Sequence, residues 1–175
     1  SHGYMHLHGN PHIHLNPYNL LLVGKELSER LLKLDPENSI FYQGSYHDFK
    51  AKLRNSIAQW EKRAKKLKNL KIIVHHKSFS YLIDWLELNE LAVLESKPGI
   101  SASTQDLQNI LNIVRRNKVD LVLRTPYDPD YASSWLVKKA GLVDVVLPYT
   151  VGGDKIIVDL FSLFDETINI LLKNL

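Results

Sequence analysis

Residues 70–76, Leu-Lys-Ile-Ile-Val-His-His, form a short apolar run rich in β-branched side chains that ends in two histidines. Runs of this kind are typical of strands buried on both faces of a parallel sheet. Similar runs follow at residues 91–95, 119–123 and 143–147. The intervening segments predict helices at about residues 79–86, 103–117, 129–139 and 155–172. The alternation predicts an α/β fold with a four-stranded parallel sheet flanked by helices.

Two helices are predicted before the first strand. Apolar residues recur at helical spacing over residues 20–34, and Asp35-Pro36 ends that helix. A longer helix is predicted over about residues 37–67, with a buried stripe that starts at Phe41. By the helical rise it would be roughly 45 Å long. Since a small domain needs no helix of this length, we expect it to link two lobes.

The composition excludes several kinds of site. The chain of 175 residues has no cysteine, which excludes disulfides, thiolate metal sites and a cysteine nucleophile. Much of the net charge of +3 comes from residues 62–68, which we interpret as the solvated face of a helix and not as a nucleic-acid contact. No apolar run approaches the roughly 18 residues of a membrane helix. No signal peptide opens the sequence, so we expect it to begin within a larger protein.

Histidine is concentrated at the start of the chain. Five of the eight histidines fall within the first fourteen residues, and His12 and His14 stand between two prolines. Neutral imidazole is a strong ligand for zinc and a fair one for manganese. We favour His12 as a metal ligand and interpret His14 as structural. His6 and His8 are interpreted as loop residues, with loose metal capture as the alternative.

Ligands of parallel α/β sheets bind at the carboxyl ends of the strands. The first strand ends in His75 and His76, and the loop after the fourth contains Gly152-Gly153-Asp154. Since neighbouring side chains of a strand point to opposite faces, only one of these two histidines is expected to face the cleft. We favour His76 as that ligand, and a hydrogen-bonded structural histidine is the alternative. Asp154 is the third candidate ligand, although an acid after Gly-Gly is more often a turn residue.

Enzymatic chemistry finds little support in the sequence. No serine stands in a Gly-x-Ser-x-Gly context, and no general base accompanies the candidate metal site. A metal-dependent hydrolase that uses the His12/His14 pair is the alternative function, because His-x-His pairs occur in several hydrolase metal sites. A plain interaction domain that binds metal by accident is a third hypothesis.

Several short segments, in order along the chain, resemble the motifs of one family. Residues 10–17, Asn-Pro-His-Ile-His-Leu-Asn-Pro, are similar to the box Pro-His-x-Trp-Leu-Asp-Pro of the zinc- and manganese-binding (cluster A-I) substrate-binding proteins of ABC transporters. Residues 74–82 resemble that family's second histidine box, and weaker similarities lie at residues 34–42, 95–103 and 151–161. The chain therefore resembles the C-terminal portion of such a protein.

The resemblance implies a metal-capturing protein and not an enzyme. Such proteins hold a divalent transition metal ion in a cleft between two lobes and deliver it to an ABC-transporter membrane permease. They work in the periplasm or at the outer face of the bacterial cytoplasmic membrane. His12 and His76 match the family's ligands in the two boxes, and Asp154 is the nearest candidate for its acidic ligand. We expect zinc first and manganese second, because the candidate donors are mostly nitrogen.

The resemblance also implies a division of the chain. Residues 1–35 correspond to a metal-box loop and a helix from the end of the N-terminal lobe, residues 36–69 to the long linking helix, and residues 70–175 to the C-terminal α/β lobe. We expect the N-terminal lobe, with its own histidine ligand, to be missing from this sequence. The fragment would then bind metal incompletely, or complete its site with that lobe or by self-association.

Two positions depart from the family's boxes. His14 replaces the usual aromatic residue, and it adds either a ligand or merely a ring. Lys77 replaces the usual acid after the histidine. Its positive charge would oppose a bound metal ion if the side chain pointed inward.

Overall fold

A computed structural model of the protein describes residues 9–95, 99–119 and 121–175. An N-terminal pair of helices is followed by strands and helices in alternation. The elements are α1 Pro17–Leu34, α2 Ser39–Ala64, β1 Lys71–Val74, α3 Ser80–Trp85, β2 Asn89–Val93, α4 Thr104–Asn117, β3 Leu121–Arg124, α5 Tyr131–Ala140, β4 Val143–Val146 and α6 Leu160–Lys173. None of the helices in the described ranges is long and apolar enough to cross a membrane.

The four strands form one parallel sheet in the order β2-β1-β3-β4. In the register, Ile72 of β1 lies opposite Leu121 of β3, and Val122 lies opposite Asp144 of β4. Because all strands run the same way, their carboxyl ends meet at one edge of the sheet. The predicted α/β fold with a four-stranded parallel sheet flanked by helices is confirmed.

Each face of the sheet has its own hydrophobic core. Ile72 and Val74 of β1 belong to the core that includes residues of α3 and α6. Ile73 belongs to the opposite core, which includes residues of α4 and α5. The alternation continues past the end of β1, so that His75 follows the face of Ile73 and His76 the face of Val74.

The C-terminal half of the long helix α2 is anchored on α6. Trp60 is 2% exposed, and its indole N–H donates to Oδ1 of Asp165 at 2.9 Å. Arg63 Nη1 donates to the same carboxylate oxygen at 2.6 Å. Leu53 and Phe164 complete this third core. The α2 helix of 26 residues, about 39 Å long, is therefore packed against α6 at its C-terminal end.

The other end of the helical pair exposes apolar side chains. Leu27 and Leu34 on α1 are 56% and 81% exposed, and Phe41 on α2 is 68% exposed. The predicted buried stripe is therefore wrong at Phe41. Apolar residues recur along most of α2, but only its C-terminal part packs on α6. The fully buried residues of α2 therefore begin at Leu53.

The predicted boundaries were wrong by a few residues at several elements. The largest difference is the start of α6, which lies at Leu160 and not near residue 155. Asp159 and Ser162 form a reciprocal capping box there, and this satisfies N–H groups that would otherwise lack partners. The strand predicted at residues 91–95 lies at Asn89–Val93, and the first strand stops at Val74, before both histidines.

Candidate metal site at the carboxyl edge of the sheet

Asn10 ties the first histidine box to the loop that follows β1. Its Oδ1 accepts the main-chain N–H of His12 at 3.0 Å, and its Nδ2 donates to the carbonyl of Lys77 at 3.0 Å. The hydroxyl of Tyr81 donates to the carbonyl of Asn10 at 3.2 Å. These bonds place His12 beside the residues that follow β1, although the two segments are far apart in sequence.

The residues after His12 fix the box from the other side. A short 3-10 turn, Ile13–Leu15, carries the side chain of Leu15 into the core, where it is only 2% exposed. Asn16 then caps α1 by accepting the N–H of Tyr18 at 3.0 Å. Pro17 occupies the first helical position, where its missing N–H costs nothing. The box is therefore held between a core leucine and a capped helix.

His12 and His76 lie side by side at the edge of the sheet. Their ring centroids are 6.4 Å apart and their planes are nearly perpendicular, at 81°. His76 is half-buried, which suits a residue at the wall of a cleft. Two imidazoles that approach from different segments are the start of a metal site, but a complete site needs three or four ligands.

Glu95 supports His76 from the end of β2. Nδ1 of His76 lies against Oε2 of Glu95 as a close pair, and the two side chains are 22% and 17% exposed. A carboxylate on one ring nitrogen of a histidine fixes the tautomer and leaves the other nitrogen to bind a metal. Nε2 is therefore the atom of His76 that could serve as a ligand.

Tyr149, from the loop after β4, contacts both histidines of the first box. Its hydroxyl is hydrogen-bonded to Nδ1 of His12, and its carbonyl oxygen lies 2.9 Å from Nε2 of His14. Its ring centroid is 5.5 Å from each of the two imidazole centroids. Burial, and secondarily the charge of Asp128, raise the pKa of Tyr149, so the phenol is neutral at physiological pH. Because Nε2 of His14 is bonded to the main-chain carbonyl of Tyr149, this histidine does not share a site with His12.

Asp154 is hydrogen-bonded within its own loop. Its side chain is exposed, and Oδ1 accepts the main-chain N–H of Ile156 at 3.1 Å. Its carbonyl oxygen accepts the N–H of Ile157 at 3.1 Å. Within residues 9–95, 99–119 and 121–175, no group of three or more His, Cys, Asp or Glu converges as a metal site would require. The structure therefore assembles His12 with His76 and leaves Asp154 in a local turn.

The other histidines take different environments. His75 is 7% exposed on the opposite face of the sheet, where it lines a cavity of about 280 Å³. Its Nδ1 has no hydrogen-bond partner among the described residues. His47 is exposed beside Asp48 on α2. His6 and His8 lie outside the described residues. Of the two adjacent histidines, only His76 approaches His12, as the alternation of strand side chains predicts.

Lys77 follows His76 directly, but its positive charge is exposed to solvent. Its side chain is exposed to solvent, and its carbonyl oxygen is the group that accepts the Asn10 amide. The other cation at this edge, Arg124 at the end of β3, donates through Nε to both oxygens of Asp144, at 3.1 and 3.0 Å. Arg124 is therefore neutralised by a carboxylate, and the charge of Lys77 is exposed to solvent.

Sequence reasoning missed three residues of this site: Asn10, Glu95 and Tyr149. Glu95 could have been found, because it is an acid at the carboxyl end of the predicted strand 91–95, where ligands of parallel sheets collect. For Tyr149, the sequence signal that could have indicated a site residue was its position in the loop after the last strand. Its partner His12 is 137 positions away, and nothing in the local sequence couples the two.

Comparison with known proteins identifies one matching family. A family model described as the periplasmic zinc-uptake complex component A, ZnuA, matches residues 1–172. The high-affinity zinc uptake system protein ZnuA of Bacillus subtilis (strain 168) is 25% identical over 110 residues. These cover 63% of this chain and 33% of that protein.

Solved structures share the fold at low sequence identity. A crystal structure of ZnuA matches with a TM-score of 0.81 and 21% identity, covering 95% of this chain and 60% of the other. A Cd-bound periplasmic metal-binding protein from Candidatus Liberibacter asiaticus gives 0.78 and 19%, with coverages of 94% and 63%. The SBP FpvC of P. aeruginosa, in complex with Ni²⁺, gives 0.75 and 20%, again with 94% and 63%. The chain spans a third of the curated relative and about three fifths of these solved chains.

Proposed function

Since the chain belongs to the ZnuA family of periplasmic zinc-uptake components, we propose that it captures a divalent transition metal ion and delivers it to an ABC-transporter permease. The observation that carries the proposal is the approach of His12 and His76, with ring centroids 6.4 Å apart. Each ring is held through Nδ1, by Tyr149 and Glu95 respectively. This support from outer residues is what a preformed metal half-site requires.

Zinc is the proposed ion. Both donors are imidazole nitrogens, which suit zinc well, whereas manganese favours a larger share of oxygen ligands. Manganese is the second candidate, and solved structures similar to this chain are described with bound Cd, Mn or Ni²⁺. The ion is cargo in this proposal, so moderate affinity and exchange are as important as tight binding.

The remaining ligands must come from elsewhere, because two imidazoles fill only half of a tetrahedral zinc site. We propose Asp154 as a third ligand that the exposed loop after β4 would have to bring inward by breaking its bond to Ile156. A further ligand would come from an N-terminal lobe. That lobe would also cover the exposed apolar side chains of Leu27, Leu34 and Phe41. The alternative is self-association, in which a second copy of this chain covers the same side chains.

The hydrolase alternative is not proposed. His14 is bonded to the carbonyl of Tyr149 and not directed into a site shared with His12. The acid nearest to the pair, Glu95, is occupied by His76 and is not placed to activate a water molecule. A hydrolytic site needs an open coordination position together with a general base. The geometry therefore favours capture of an ion over turnover of a substrate.

Isothermal titration with zinc and with manganese tests the proposal. We expect saturable zinc binding at one ion per chain, weakened at least tenfold by His12→Ala and by His76→Ala, with manganese binding more weakly. His47→Ala is the matched control, since that histidine is exposed on α2. Deletion of residues 1–8 should leave the site intact. Absence of saturable binding, or binding that survives both alanine substitutions but is lost with residues 1–8, contradicts the proposal.

A further inference from the structure

We propose that Tyr149 is a positioning residue, whose phenolic oxygen holds Nδ1 of His12 and thereby directs Nε2 of His12 toward the captured ion. The inference rests on the proposed function for the identity of the ion, but the contact itself belongs to the metal-free protein. It assigns a role in metal capture to the loop after β4, through a residue that is not itself a ligand.

The carbonyl and the side chain of Tyr149 bind two different histidines of one short turn. The carbonyl oxygen is bonded to Nε2 of His14, at 2.9 Å, and the hydroxyl is bonded to Nδ1 of His12. The loop itself starts from a fixed point, because Leu147 is fully buried and its N–H donates to the carbonyl of Arg124 at 3.0 Å. The phenol therefore reaches His12 from a rigid base.

The phenolic oxygen can satisfy either tautomer of His12. If His12 binds a metal through Nε2, its single proton must be on Nδ1, and that N–H can donate to a lone pair of the Tyr149 oxygen. If instead the phenol donates its proton to Nδ1, the imidazole proton is on Nε2. Metal binding selects the first arrangement, because Nε2 must present its lone pair. Tyr149 can therefore keep its hydrogen bond to His12 when the ion is bound, and the pair of side chains gains or loses no proton overall.

The two histidines of the half-site differ in their outer partners. His76 is held by the charged carboxylate of Glu95, whereas His12 is held by a neutral phenol. A carboxylate raises the basicity of its imidazole more than a phenol does. The loss of the Tyr149 hydroxyl should therefore affect His12 and leave His76 as it was. This difference separates a positioning role from general damage to the site.

Tyr149→Phe tests the proposal, with Tyr127→Phe as the matched control. Phenylalanine keeps the aromatic packing of Tyr149 and removes only the oxygen. The ring of Tyr127 lies 6.3 Å from that of Tyr149, but its side chain is 68% exposed. The readouts are the ring ¹⁵N chemical shifts of His12 and His76 in the metal-free protein, and the zinc affinity by competition with a chelating dye.

We expect Tyr149→Phe to shift the ring nitrogen signals of His12, to leave those of His76 in place, and to weaken zinc binding about tenfold. Tyr127→Phe should change neither. Unchanged His12 signals in Tyr149→Phe overturn the proposal whatever the affinity, and so does zinc binding within twofold of the parent protein. Failure of the parent protein to bind zinc contradicts the proposed function, whereas the metal-free spectra still decide whether Tyr149 sets the state of His12.

Discussion

Oε2 of Glu95 pairs with Nδ1 of His76 although the two residues follow different strands of the sheet. The main-chain N–H of Glu95 also donates to the carbonyl of His75, at 2.8 Å, and this extends the pairing of β1 and β2 beyond their ends. The backbone ladder therefore sets the position of the carboxylate. The geometry of the sheet, and not a local motif, orients the imidazole of His76.

Glu95→Gln should weaken zinc binding about tenfold, because an amide oxygen accepts the Nδ1–H less strongly and no longer adds negative charge behind the ligand. Competition titration against a chelating dye gives the affinity. Glu90→Gln is the control, since Glu90 lies within β2, five residues before Glu95. Equal zinc affinity in Glu95→Gln and the parent protein would show that the pair does not support a ligand.

Glu90→Gln should stabilise the protein at neutral pH. Burial raises the pKa of Glu90, and the charge of Lys77 offsets this only in part. When the pKa of an acid is higher in the folded protein than in the unfolded chain, its contribution to stability is fully present only below the unfolded pKa, about 4.3 for Glu. That contribution is lost as the pH rises through the folded pKa. In urea unfolding at pH 7, the variant should therefore have a higher free energy of unfolding than the parent protein. The difference should vanish near pH 3.5. A variant that is less stable at pH 7 contradicts this account.

Gly44→Ala should raise the free energy of unfolding by about 0.5–1 kcal/mol, because Gly44 lies inside α2 and a Cβ there would meet nothing within 4 Å. Gly24→Ala in α1 is the matched contrast. Its Cβ would lie 2.9 Å from the ring of Phe49, so the packing of the two helices must shift and the helix-propensity gain is lost. Urea unfolding measures both, and an equal gain at the two positions would contradict the close packing of α1 on α2.

Asp159→Ala should destabilise the protein by about 1 kcal/mol through loss of the α6 N-cap. Hydrogen bonds from the Ser162 N–H and hydroxyl lower the pKa of Asp159. Its contribution is therefore present above the unfolded pKa and is lost as the pH falls through the folded pKa. Asp159→Asn keeps a capping oxygen and should retain most of the stability at pH 7 without this pH dependence. Thermal unfolding between pH 2 and pH 7, a range chosen around the ordinary Asp value, compares the three proteins.

Much of the fold was predictable because its signals are local. Short β-branched runs between helical segments define a parallel sheet whatever the details of packing. The start of α6 was predicted too early, because residues 155–158 are compatible with a helix and only the Asp159–Ser162 capping box fixes the boundary. The exposure of Leu34 and Phe41 could not be predicted, because apolar spacing indicates a face but not what covers it.

The approach of His12 to His76 follows from a different kind of signal. The alternation of side chains along β1 separates His76 from His75, and the carboxyl edge of the sheet brings His76 toward the first box. The contact of Glu95 with His76 depends on the spatial order of the strands, and the contact of Tyr149 with His12 depends on the path of the loop after β4. No short stretch of sequence encodes either. Its place in the last loop makes Asp154 a candidate ligand, and in the structure its carboxylate accepts the main-chain N–H of Ile156.

Anomalous diffraction at the zinc absorption edge, from crystals of the protein soaked in zinc, tests most directly whether His12 and His76 bind one ion. The account predicts a single strong peak within bonding distance of Nε2 of both imidazoles, about 2.0–2.1 Å, with Glu95 and Tyr149 still on the two Nδ1 atoms. A peak at other residues with none between His12 and His76, or a peak bound to only one of the two rings, would contradict it.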